Sequence, residues 1–144
     1  YRTIMPEADA TSLATAMSTH WTFRIPCIRL AEAREANAAS RGKTWMYLFA
    51  WESRSRLKST HALEIPFAFN TLDKPGVKLF LGEGPTPQGV ADTMHDAWIR
   101  FIRDGEPGWP HYDLERRVNM QFDEESRAVE NPDAGYLHAW SGIR

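Results

Sequence analysis

An unbroken run of apolar and aromatic residues from Trp45 to Trp51 restricts the fold of this chain more than any other feature of its sequence. The run is too short for a typical helix, and it lacks the alternation of a strand that is covered on one face only. It therefore predicts a strand covered on both faces, of the kind found inside a parallel sheet. The sequence contains no second run like it. We therefore expect most of the sheet to which this strand belongs to lie outside the chain.

Two segments carry the signals of a helix. The first runs from Thr22 to about Ala39, with Pro26 in its first turn, where a missing N–H costs little. The second runs from Pro87 to Asp104, after an expected N-cap at Thr86 and before Gly105, which can adopt the left-handed conformation that ends a helix. Its apolar residues recur at spacings that place them on one helix face: Val90, Met94, Ala97, Trp98, Phe101 and Ile102.

The region after this helix predicts a small antiparallel hairpin. Polar and apolar residues alternate from Arg117 to Asp123, as in a half-buried strand, and Arg127 to Glu130 can pair with it across an acidic turn. We expect a terminal helix to begin at Leu137 to Trp140. We interpret the polar, basic segment from Glu52 to Thr60 as a loop. The predicted fold class is α/β, mostly helical, with one or two strands of a parallel sheet and this hairpin.

Charge and cysteine content exclude several classes of function. Lys plus Arg is 17 and Asp plus Glu is 19, a formal charge of −2, and no Lys/Arg-rich stretch is present, which argues against a nucleic-acid partner. No apolar run approaches the roughly 18 residues of a transmembrane helix, so no membrane partner is expected. The single cysteine, Cys27, excludes an internal disulfide framework and is interpreted as a small core residue. Because no metal-ligand motif and no Gly-rich phosphate loop occurs, we predict no metal and no cofactor.

One of the five histidines is a candidate catalytic residue. His20, His95, His111 and His138 are interpreted as structural or surface residues. His61 instead follows the predicted buried strand after a loop of nine residues, 52 to 60. Catalytic histidines of α/β-hydrolases occupy such a place, because the sheet fixes the ring while the loop lets it reach the nucleophile. An ordinary loop histidine is the alternative that position alone leaves open.

The segment from His61 to Phe69 resembles the catalytic-histidine segment of the type-B carboxylesterases, and of the bacterial para-nitrobenzyl esterases in particular. The shared pattern is a histidine, a small residue, any residue, an acidic residue, an aliphatic residue, Pro, Phe, any residue and Phe. The resemblance runs from about Thr19 to Trp140. It extends over further segments in the same order: Phe23-x-x-Pro26, Leu30-Ala31, Tyr47-x-Phe49, Ala97-Trp98-Ile99-x-Phe101, Gly105-x-Pro107, Trp109-Pro110-x-Tyr112 and Arg117-x-x-Met120-x-Phe122.

This resemblance implies an α/β-hydrolase fold and a serine carboxylesterase in which His61 is the catalytic histidine. In the family the serine elbow, Gly-Glu-Ser-x-Gly, the acid and the oxyanion loop all precede the histidine, and the 60 residues before His61 contain none of them. We therefore interpret residues 1–144 as the C-terminal part of a carboxylesterase domain, inactive by itself. Its expected partners are a small-molecule ester and the missing N-terminal part of the same domain.

Glu64 lies three residues after His61 and could be taken for the acid that orients the ring. A local carboxylate in a turn more often accepts hydrogen bonds from backbone N–H groups. We therefore predict that Glu64 caps the backbone.

Two alternatives stay open. In the first, the chain is a non-catalytic interaction module, similar to cholinesterase-like adhesion proteins, and the exposed flank of the Thr44–Trp51 strand is its docking edge. In the second, the isolated chain covers its aromatic-rich faces by forming homo-oligomers.

Overall fold

The computed structural model describes residues 1–143, which divide into two compact units. The first, called the helical unit, comprises residues 1–44, 111–117 and the described residues from 130 onward; the second, called the sheet unit, comprises residues 45–110 and 118–129. In chain order the elements are α1 (Ala10–Thr19), a π-helical segment (His20–Arg24), α2 (Ile25–Ala36), β1 (Met46–Phe49), α3 (Ile65–Ala68), α4 (Val77–Leu81), α5 (Gln88–Asp104), β2 (Asn119–Phe122), β3 (Arg127–Val129) and α6 (Ala134–Ala139).

In the helical unit, α1, the π-helical segment and α2 follow one another without a break. Asp9 begins this helical segment, because its carboxylate accepts a hydrogen bond from the backbone N–H of Ser12 at 2.7 Å. The predicted helix over 22–39 is therefore part of a longer one that ends at Ala36. Pro26 is the second residue of α2 and so lies in the first turn of that helix, as predicted. Proline has no backbone N–H to donate to the preceding turn. Just before it, His20–Arg24 form a π-helical segment in place of an α-helical turn.

Cys27 is exposed, so its interpretation as a core residue was wrong. The buried residues of α2 are Ile25, Ile28, Ala31 and Glu35, which recur every three or four positions. Since successive residues of a helix are rotated by about 100°, the position next to Ile28 points away from that face.

The sheet unit contains a three-stranded sheet in the order β1-β2-β3. β1 and β2 are parallel, with Tyr47 opposite Met120, and β2 and β3 are antiparallel, with Met120 opposite Ala128. The predicted hairpin is thus confirmed. The pairing of its first strand with β1 had not been predicted.

All four residues of β1 are half-buried. The predicted strand is present, but none of its four residues is fully buried, contrary to the expectation of a strand covered on both faces. β1 is also an edge strand of the sheet that the described residues form. The core of this unit joins the sheet to α3, α4 and α5, and its buried residues are Trp51, Leu63, Phe67, Leu72, Leu81, Val90, Ala91, Met94, Ala97 and Phe122.

Helix α5 begins one residue later than predicted. Pro87, not Thr86, is its N-cap, and no side chain caps the helix. The main-chain carbonyl of Thr86 accepts the N–H of Gln88 at 2.8 Å. Gly105 ends the helix at φ +78°, as predicted.

The apolar stripe of α5 is buried over only half of its length. Val90, Met94 and Ala97 lie in the core, whereas Trp98 is 40 % exposed and Ile102 is 73 % exposed. The amphipathic pattern therefore continues beyond the core that it helps to form.

The predicted terminal helix at Leu137–Trp140 is present as α6, which begins three residues earlier. No helix in residues 1–143 combines the length and the apolar character needed to span a bilayer.

Candidate active site

The loop after β1 is attached to the sheet on both sides of its turn. Trp51, almost fully buried, donates from its indole Nε1 to Oε1 of Glu124 at 3.0 Å. Ser59, at the other end of the loop, donates its hydroxyl to the carbonyls of Ala50 and Trp51, at 3.0 and 2.9 Å. The loop therefore returns to the end of β1 two residues before His61.

His61 is exposed and lies in a turn that leads into α3. The N–H of Leu63 donates to the carbonyl of Thr60 at 3.2 Å. Ala62 has φ +68°, a conformation that is uncommon for a residue other than glycine. A residue with a larger, β-branched side chain would be strained here, which explains in physical terms why a small residue follows the histidine.

Two buried side chains fix the segment that follows His61. Leu63 and Phe67 are both fully buried. The Phe67 ring contacts the rings of Phe49 and Trp51, with centroids 4.8 and 5.2 Å apart. The segment thus places one exposed imidazole next to a firmly packed turn at the carboxyl end of a parallel strand, where open α/β sheets place ligands.

Glu64 does not cap the backbone, which corrects the prediction. It occupies the residue before α3, and its side chain makes no capping hydrogen bond. Its main-chain carbonyl instead accepts the N–H groups of Phe67 and Ala68, at 3.0 and 2.9 Å. The backbone has therefore taken the role that the carboxylate was expected to fill.

Known proteins resemble the chain over most of its length. It is 31% identical to the para-nitrobenzyl esterase of Bacillus subtilis over 127 residues, which cover 82% of this chain and 25% of that protein. A crystal structure of a Geobacillus stearothermophilus carboxylesterase superposes with a TM-score of 0.78 at 33% identity, covering 94% of this chain and 29% of that one. The chain belongs to the type-B carboxylesterase family. Its fold is accordingly that of an α/β-hydrolase, of which it contains part.

Two further comparisons bear on this chain. The phenmedipham hydrolase of Pseudarthrobacter oxydans is 40% identical over 58 residues, which cover 38% of this chain and 12% of that protein. No family model matches the chain. The chain spans about a quarter of the para-nitrobenzyl esterase that it matches and less of the phenmedipham hydrolase.

Of the other four histidines of this chain, two contact main-chain carbonyls and two are exposed. His20 stacks on Tyr136 with ring centroids 4.0 Å apart, and its Nδ1 lies 2.6 Å from the carbonyl of Ala16. His111 and His138 are exposed. His95 contacts the carbonyl of Ala68 through Nδ1 at 2.9 Å, so it reaches the segment that carries His61.

Neither this contact of His95 nor the two hydrogen bonds of Ser59 was predicted from the sequence. The sequence does not indicate these contacts, because no sequence motif includes both partners of either one. An apolar stripe interrupted by a histidine at its edge was the one signal available for His95. Among residues 1–143, no group of three or more His, Cys, Asp or Glu side chains is arranged to hold a metal ion.

Proposed function

We propose that His61 is the catalytic histidine of a serine carboxylesterase, and that residues 1–144 are the C-terminal part of its catalytic domain. The acyl-accepting serine, the acid and the oxyanion donors belong, in this proposal, to polypeptide outside these residues. The substrate is a small-molecule carboxylic ester. The observation that carries the proposal is the exposed imidazole of His61 on a well-packed turn after β1, in a chain of the carboxylesterase family.

The proposed chemistry alternates between the neutral and the protonated states of one ring. His61 takes the proton of the serine hydroxyl as the oxygen attacks the ester carbonyl, and it gives this proton to the alcohol oxygen as the ester C–O bond breaks. It then takes a proton from water, which attacks the acyl-enzyme, and returns it to the serine oxygen. The exposure of His61 suits this role, because a ring that transfers protons to substrate has to reach it.

The chain alone is expected to be inactive. Its sequence has no Gly-x-Ser-x-Gly elbow, and Ser59, the serine nearest to His61 in sequence, donates to two main-chain carbonyls. We expect no fluorophosphonate adduct by intact mass, and no hydrolysis of para-nitrophenyl acetate beyond that of free imidazole. A stoichiometric adduct would contradict the proposal that the nucleophile lies elsewhere.

The direct test of His61 is a chimera in which the chain replaces the aligned quarter of the Bacillus subtilis esterase. We expect His61→Ala to lower kcat by on the order of a thousandfold or more, because loss of one triad member removes most of the catalysis. His111→Ala, which removes an exposed histidine of the helical unit, is the matched control and should leave kcat unchanged. An active chimera that is indifferent to His61→Ala would refute the assignment. It would leave the interaction module, with the edge of β1 as its docking surface, as the better interpretation.

A further inference from the structure

We propose that His95 is a positioning residue for His61, acting through the carbonyl of Ala68. The inference rests on the proposed role of His61, and it adds to that role a residue of α5 that does not touch the substrate. It starts from the 2.9 Å contact between Nδ1 of His95 and the Ala68 carbonyl oxygen.

Helix α3 is a single turn, Ile65–Ala68, which is too short to be stable without tertiary contacts. Main-chain N–H groups bind three of its four carbonyls. Phe69 donates to Ile65 at 3.1 Å, Thr71 to Pro66 at 2.8 Å and Asn70 to Phe67 at 3.1 Å. The remaining carbonyl, that of Ala68, is bound by the His95 ring. His95 thus completes the C-terminal end of the helix that begins four residues after His61.

The direction of this hydrogen bond follows from the chemistry of its partners. A carbonyl oxygen only accepts, so Nδ1 of His95 carries the proton and donates it to the Ala68 carbonyl. A side chain with an N–H donor can therefore make this contact, and alanine cannot.

A second link joins the same two segments. The amide of Asn70 donates to Oδ1 of Asp92 at 3.1 Å, and the amide of Gln88 donates to Oδ1 of Asn70 at 2.7 Å. These groups are exposed, whereas the His95 contact is partly buried. Loss of the partly buried contact leaves a carbonyl without its donor at the end of a one-turn helix, so the His61 turn should gain freedom even where the rest of the fold is kept.

The first experiment uses the 144-residue chain itself and records the Cε1–H resonances of its histidines by NMR. In His95→Ala we expect the His61 resonance to broaden or shift, because the turn samples more conformations. His95→Gln, whose amide can donate to the same carbonyl, should retain the wild-type signal, and His111→Ala should have no effect. An unchanged His61 resonance in a folded His95→Ala variant would overturn the proposal.

The second experiment uses the chimera, with kcat referred to active sites titrated by a fluorophosphonate. His95→Ala should lower kcat about tenfold with KM nearly unchanged, whereas His95→Gln should recover most of the loss. A kcat that stays within about twofold in His95→Ala refutes the positioning role while leaving that of His61 intact. The proposed function fails separately, and only if His61→Ala is without effect.

Discussion

Arg24 and Asp133, 109 positions apart, form a bidentate ion pair in the helical unit. Nε of Arg24 donates to one carboxylate oxygen at 3.1 Å and Nη2 donates to the other at 2.6 Å. The two side chains are only 11% and 10% exposed. This pair ties the π-helical segment to the residue that precedes α6, and parallel N–H donors on a carboxylate are the strongest arrangement of this kind.

Removal of the carboxylate should be costly, because the largely buried Arg24 guanidinium then loses this ion pair. We expect Asp133→Ala to lower the free energy of unfolding by about 3 kcal/mol, measured by urea denaturation. Asp104→Ala breaks the exposed pair with Arg103 and serves as the control, with no measurable change expected. Equal effects of the two substitutions would show that burial does not determine the strength of the Arg24–Asp133 pair.

Acid should destabilise the helical unit through His20. Burial lowers the pKa of His20 below its ordinary value of 6.5, and the nearby Arg24 charge acts in the same direction, while the Ala16 carbonyl and Asp133 oppose them. The unfolded chain then binds the proton more readily than the folded one, so stability is present above about pH 6.5 and is lost as the pH falls through the lowered pKa.

The test compares wild type with His20→Phe, which keeps an aromatic ring against Tyr136 but cannot titrate. Unfolding midpoints measured at about pH 8 and about pH 5 should fall less in the variant than in the wild type. The remaining histidines contribute equally to both proteins and cancel in the comparison. A larger fall in the variant would mean that protonation of His20 stabilises the folded chain, contrary to the lowered pKa.

The elements that the sequence predicted well are those whose signals are local. The α5 pattern and the β2–β3 hairpin depend on residues a few positions apart, and both lie within a residue or two of the predicted bounds. The parallel pairing of β1 with β2 joins residues about 70 positions apart, and no local pattern encodes it. The π-helical segment escaped prediction for a related reason, since 3.6-residue periodicity does not reveal a change of register.

The same contrast between local and long-range signals applies to the prediction of the candidate site. Position after a strand, together with the family resemblance, singles out His61, whose catalytic role stays a prediction. The wrong role for Glu64 came from expecting its carboxylate to accept backbone N–H groups, whereas its main-chain carbonyl accepts those of Phe67 and Ala68. Which main-chain carbonyl accepts which N–H group depends on backbone dihedral angles such as φ of Ala62. The residue type alone does not determine these angles.

The strained residue next to His61 offers a stabilising substitution. Ala62 has φ +68°, which costs an L-residue roughly 1–2 kcal/mol relative to the right-handed region. Since glycine avoids this cost but loses more backbone entropy on folding, Ala62→Gly should raise the free energy of unfolding by about 0.5–1 kcal/mol. Ala97→Gly, in the middle of α5, should lower it by about 1 kcal/mol or more. Thermal and urea denaturation would measure both, and a destabilised Ala62→Gly would show that the turn is not strained at this residue.

The exposed half of the α5 stripe should make the isolated chain self-associate. Trp98, Phe101 and Ile102 are 40%, 44% and 73% exposed, and Trp98 and Phe101 line a cavity of about 110 Å³ together with Trp45 and Tyr47 of the neighbouring strand region. Patches of exposed aromatic and aliphatic side chains of this kind usually mark contact surfaces. We expect the apparent mass in sedimentation velocity to rise as the protein concentration is raised.

Ile102→Glu tests whether this surface is the one that associates. Burial of an isoleucine side chain contributes about 1.5–3 kcal/mol, and Ile102 is largely exposed in the monomer, so the substitution should raise the dissociation constant by about tenfold or more. Thr93→Glu adds the same charge to an exposed position in the first half of α5 and should change it little. If both variants associate as the wild type does, the contact surface lies elsewhere, and the exposed face of α2 around Leu30 becomes the next to test.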